Sequence, residues 1–142
     1  MPMKDETEGM ELVPDETLGK FYSATDLKRL ADEGAKRANA SSKEYFVSTE
    51  WLMLPNDRTE FVVKCKRVNI FAELLIKVKV RYAEGGGIAT RSLSVYGTDS
   101  RDEELQPLQL KTDGNPTVFI DERKLSEPEL IDELVRPVLE AT

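Results

Sequence analysis

The sequence predicts an α+β fold, an antiparallel sheet of about five or six strands flanked by an N-terminal and a C-terminal helix, behind a disordered acidic N-terminal tail. Three observations predict it. Apolar residues recur at helical spacing near both ends, at Leu27, Leu30, Ala31, Ala35 and Ala38 and again at Leu130, Ile131, Leu134, Val135 and Val138. Between them the period falls to two, most clearly where Leu74, Ile76, Val78, Val80 and Tyr82 alternate with Leu75, Lys77, Lys79 and Arg81. The connections are short and turn-rich, which suits hairpins and leaves no room for the helical crossovers of a parallel sheet.

Residues 1–20 read as the tail and 21–142 as one domain, since 142 residues can bury about two-thirds of their unfolded surface without a staple. The tail is rich in acids and almost free of β-branched or aromatic residues, so burial cannot offset the entropy of ordering it. Asp-Glu-Thr-x-Gly occurs twice there, at 5–9 and 15–19. The two copies offer a short docking motif, but a chance echo in a biased composition is the better reading, since structural repeats need longer units.

The first helix is expected to start after Ser23 or Thr25, with Gly34 weakening it. Tyr45, Val47, Thr49, Trp51 and Met53 share one face of a first strand, and Pro55-Asn56-Asp57-Arg58 turns the chain into a second, about Glu60 to Val68. Residues 70–75 open the third strand but also fit a helical turn. Glu84-Gly85-Gly86-Gly87 leads to a strand from Ile88 to Tyr96, and Thr98 to Glu104 reads as a polar loop. Leu108 and Leu110 then join Val118 and Ile120 through a turn containing Asp113-Gly114. Ser126-Glu127-Pro128-Glu129 is a capping box, with Leu125 and Leu130 placed as a hydrophobic staple. Pro137 is expected to kink or end the helix that follows, and Glu127, Glu129, Asp132 and Glu133 to point to solvent.

Composition excludes more than it assigns. The chain has no histidine, which removes the commonest general base and the commonest metal ligand. The single cysteine, Cys65, excludes an intrachain disulfide and alternates with Phe61 and Val63, so it reads as a buried structural thiol. Gly85-Gly86-Gly87 precedes a strand rather than a helix and therefore lacks the geometry of a phosphate-binding loop. Asp99, Asp102, Glu103 and Glu104 lack the spacing of a calcium loop. No apolar run approaches the roughly 20 residues that cross a bilayer, and no secretory leader is evident, so the expected setting is the cytoplasm without a membrane. No cofactor and no metal are expected.

The charge pattern supplies the candidate site. Overall the chain is acidic, with formal charge −7, yet residues 1–16 hold one lysine against six acids while residues 58–91 hold eight cations against three acids. Period-two spacing puts Lys64, Lys66, Lys77, Lys79 and Arg81 on one face of two neighbouring strands. Like charges across paired strands repel, so that face is solvated, countered within the chain, or matched to an anionic partner. One candidate for countering it is the acidic tail. Readers of single-stranded nucleic acid place aromatics among such cations, and Trp51 and Tyr82 both read as core instead. The expected function is a non-enzymatic interaction module, an adaptor, chaperone-like or inhibitor protein with a protein partner. Binding of nucleic acid or phosphorylated ligands through the basic face is the alternative, and a homodimer through Val138 and Leu139 is a further option.

Overall fold

The computed structural model describes residues 24–53, 59–81, 86–111 and 117–141. The acidic tail, the turns expected at 55–58 and 112–116, and Tyr82 lie outside them. Helix α1 (Ala24–Ser41) is followed by β1 (Phe46–Met53), β2 (Thr59–Lys66), β3 (Phe71–Arg81), β4 (Gly86–Tyr96), β5 (Arg101–Lys111), β6 (Thr117–Ile120) and β7 (Arg123–Lys124), and the order closes with helix α2 (Glu127–Ala141). Each strand pairs antiparallel with the next, giving a seven-stranded meander in the order β1 to β7.

Two helices and one sheet face make the core. Cross-strand pairs Phe61 with Ile76, Val63 with Leu74 and Cys65 with Ala72 are buried beneath them, and full burial of a side chain such as Phe61, Ile76, Val63 or Leu74 stabilises by about 1.5–3 kcal/mol. α1 contributes Leu27, Leu30, Ala31, Ala35 and Ala38, and α2 contributes Leu130, Ile131, Leu134, Val135 and Val138, the two predicted stripes. Gly34 lies where the helices cross. A Cβ there would stand 2.6 Å from Cγ2 of Val135 and 2.8 Å from Cγ2 of Ile131. The residue that weakens α1 as a helix thus permits the close approach.

The sheet edges are treated differently. On the first edge, Asn39 of α1 donates its amide to the Val47 carbonyl and accepts from the Val47 amide, both at 2.8 Å, so one side chain occupies the place of a neighbouring strand. Further along β1, the Thr49 hydroxyl donates to Asp32 and Lys28 stands over the Trp51 ring. At the far side β5 runs for 11 residues, but β6 pairs only with Gln109, Leu110 and Lys111.

Several expectations are corrected. Among the described residues the sheet has seven strands, because β5 begins at Arg101 within the expected loop and β7 adds a two-residue pair. Its first residues carry charge on both faces, which erases the apolar alternation that marks a strand. Residues 71–75 are strand rather than helical turn. Trp51 is on the helix side of the sheet and stacks on Phe61, yet it lies at the margin of the core and is 37% exposed. Glu133 does not point to solvent: its carboxylate lies 3.1 Å from the Arg91 guanidinium, and its side chain is 13% exposed. Nor does Pro137 end α2, which runs on to Ala141. Proline removes the donor that the Glu133 carbonyl would have received, and Arg91 Nη1 donates to that carbonyl at 2.6 Å.

Candidate interaction surface

Each functional side chain is positioned by the register of the strands, since residues directly opposite across a ladder share a face. Helices cover the face that carries Phe61 and Ile76. The other face has no helix on it among the described residues, and rows of cross-strand neighbours cross it. One row is Phe46, Lys66, Phe71 and Tyr96; the next is Ser48, Lys64, Glu73 and Ser94. Further on come Glu50, Val62, Leu75 and Ser92, and then Leu52, Glu60, Lys77 and Thr90.

Lys64, Lys66, Lys77 and Lys79 therefore share the open face, as their spacing predicts, and Arg81 takes the register position opposite Gly86 on the same strand. The face is not uniformly basic. Lys64 Nζ lies 3.0 Å from the Glu50 carboxylate and 4.0 Å from Glu73, which it directly opposes. Lys77 faces Glu60, itself buried. Asp102 and Glu104 of β5 extend the mixture, opposite Ser94 and Ser92, and the Ser92 hydroxyl donates to Glu104 at 3.0 Å. Cations and carboxylates are interspersed across the centre of the sheet, and the carboxylates that pair with Lys64 come from the sheet itself.

The row at the end of the face is different. Phe46 is 62% exposed and Tyr96 47% exposed, with Lys66 and Phe71 between them. The rings of Phe71 and Tyr96 stack with centroids 5.8 Å apart. Val68, 92% exposed, follows in the β2–β3 connection, where Arg67 lies over the Tyr45 ring with 4.8 Å to the centroid. Aromatic rings held at an exposed sheet end and flanked by a cation are the anchor chemistry of recognition surfaces.

The chain matches no family model, no curated protein and no solved structure. Its surfaces are read from their own chemistry.

Sequence reasoning missed Phe46, Phe71 and Tyr96 as one group. The signal was present, because Phe46 is out of phase with Tyr45 and Val47, and Phe71 is in phase with Lys77 and Lys79. Tyr96 shares their face only through the register of β4 against β3, which depends on where the hairpin turns. Cys65 is fully buried, as its alternation predicts. Val138 is fully buried and Leu139 packs against the core, so both serve the interior of this chain. Among the described residues no group of three or more histidine, cysteine, aspartate or glutamate side chains could hold a metal ion. No helix among the described residues is long and apolar enough to cross a membrane.

Proposed function

We propose that the protein is a non-enzymatic interaction module, an adaptor, chaperone-like or inhibitor protein, which receives a protein partner on the open end of its sheet. One observation carries this reading, the row in which Phe46, Phe71 and Tyr96 stand side by side with Lys66 on the helix-free face. Aromatics held rigidly by strands present large apolar area at little conformational cost, and an exposed cation beside them favours a carboxylate on the partner. The fitting partner offers an apolar side chain for the Phe71 and Tyr96 rings and an acid for Lys66. A chain whose one cysteine is a buried free thiol suits a cytoplasmic setting for that role.

The same row gives the alternative its one favourable observation, since aromatics among lysines also stack bases. Glu50, Glu73, Asp102 and Glu104 on the same face oppose a polyanion, which favours the protein partner. In the alternative, the acids of residues 1–16 screen Lys77 and Lys79 until the polyanion displaces them.

Capture from the native source, analysed for protein and nucleic acid, tests the choice. A protein retained by the wild-type chain at high salt and lost with Phe46→Ser and Tyr96→Ser supports the module. Capture of nucleic acid that falls steeply with salt and is lost with Lys77→Glu or Lys79→Glu sinks it.

A further inference from the structure

The two edges of the sheet invite opposite conclusions. β1 is closed at Val47 by Asn39 and flanked by α1. The first half of β5 has β4 along one side and, among the described residues, no strand along the other, because β6 pairs only from Gln109 onward. An open edge presents a row of amide and carbonyl groups, a demand that another extended chain meets.

A groove of about 690 Å³ lies beside that edge, lined by Leu93, Leu105 and Ile120 together with Glu103 and the cationic Arg101, Arg123 and Arg136. Side chains of an added strand that point towards the helices would enter it.

Charge decides the occupant. Asp102, Glu103 and Glu104 are consecutive on the edge and all exposed. Two copies joined edge to edge around a two-fold at Glu103 would place Glu103 opposite Glu103 and Asp102 opposite Glu104, like charges on directly paired positions. Self-pairing in that register is therefore opposed. A chain with cations at alternate positions would instead meet Asp102 and Glu104 on the open face, while uncharged side chains between them lie over Leu105 and keep cations away from Arg101, Arg123 and Arg136 in the groove.

We infer that the β5 edge from Arg101 to Leu105 binds an extended basic peptide by strand addition, with lysine or arginine alternating with apolar residues. This site is separate from the aromatic row and goes beyond the reading above.

The probe is a heptapeptide alternating lysine and valine, titrated into the full chain while backbone amide shifts are followed. Strand addition perturbs residues 101–105, and binding weakens about tenfold or more in an Asp102→Lys/Glu104→Lys variant, because charge repulsion replaces attraction. Two complementary N-methylated peptides complete the test. Alternate amides of an added strand point to β5 and to solvent, so one methylated peptide loses about tenfold or more in affinity and the other keeps it. Phe46→Ser, on β1 at the other side of the sheet, leaves this binding unchanged, which separates it from the partner site. Shifts confined to the acids of residues 5–16, or equal binding of both methylated peptides, would overturn the inference.

Discussion

Arg91 supplies to α2 the hydrogen bond that Pro137 cannot. Its Nη1 donates to the Glu133 carbonyl at 2.6 Å and to the Glu133 carboxylate at 3.1 Å, while Nε and Nη2 both reach the Gln106 carbonyl, at 2.9 and 2.7 Å. One guanidinium thus ties β4, the bulge where β5 shifts register, and the proline turn of the last helix. Burial pushes its pKa down, and Glu133 opposes that shift. Removing the donor leaves two carbonyls unsatisfied beside a carboxylate that is mostly buried. Arg91→Met should cost about 3 kcal/mol, read from urea unfolding. Adding Pro137→Ala to that variant restores an amide donor and should recover about 1 kcal/mol. Full stability in Arg91→Met would show that the network is idle.

Gly34 is expected to resist substitution although alanine favours helix by about 1 kcal/mol. The added Cβ collides with branched side chains that cannot swing away, Val135 above all, and overpacking typically costs about 1–3 kcal/mol. Gly34→Ala should lower the urea midpoint, and Val135→Ala in the same chain should return part of the loss. A raised midpoint in the single variant would mean that helix propensity wins.

Legibility in the sequence follows the range of each interaction. The two helical stripes, the capping box and the alternation in β3 are local patterns, and each is in the fold where its residues predict it. Arg91 reads locally as one more cation of a basic segment, and Glu133 as one more solvent-facing acid. Their pairing spans 42 residues and depends on a bulge that no local pattern announces. β5 was hidden for a related reason, since a strand with an open edge and charged residues on both faces lacks the period that reveals strands. The shared face of Lys64 and Lys77 was readable because parity within a hairpin is local. The pairing of Lys64 with Glu50 and Glu73 needed the register as well.

The start of α2 gives a pH-dependent prediction. Ser126 and Glu129 bond reciprocally, with the Ser126 amide donating to the Glu129 carboxylate at 2.9 Å and the Glu129 amide donating to the Ser126 hydroxyl at 3.3 Å. The bonds from Ser126, helped by Arg123, hold the Glu129 pKa below its ordinary 4.5. A carboxyl depressed in the fold stabilises fully above its unfolded value and loses that contribution as pH falls through the folded one. The stability difference between wild type and Glu129→Gln should therefore be constant near neutrality and shrink below pH 4.5. Ser126→Ala should cost about 1 kcal/mol at neutral pH. A difference that grows on acidification would contradict the sign.

Asn39 tests the management of the first edge. Its amide makes both hydrogen bonds that a neighbouring strand would make to Val47, and it is fixed by the helix that also places Asp32 against Thr49. Leucine at this position keeps the helix and much of the volume but has no polar atoms, so the Val47 amide and carbonyl lose their partner. Asn39→Leu should cost about 1–3 kcal/mol. The lesion also uncovers a strand edge carrying Phe46 and Trp51, both exposed, and such an edge is a template for pairing with another copy. The variant should therefore form oligomers in size-exclusion chromatography at concentrations where the wild type does not, and Val47 should lose its amide-exchange protection before the centre of β3 does. A variant that is destabilised but stays in the wild-type oligomeric state would assign Asn39 to stability alone and leave the protection of the edge to α1 as a whole.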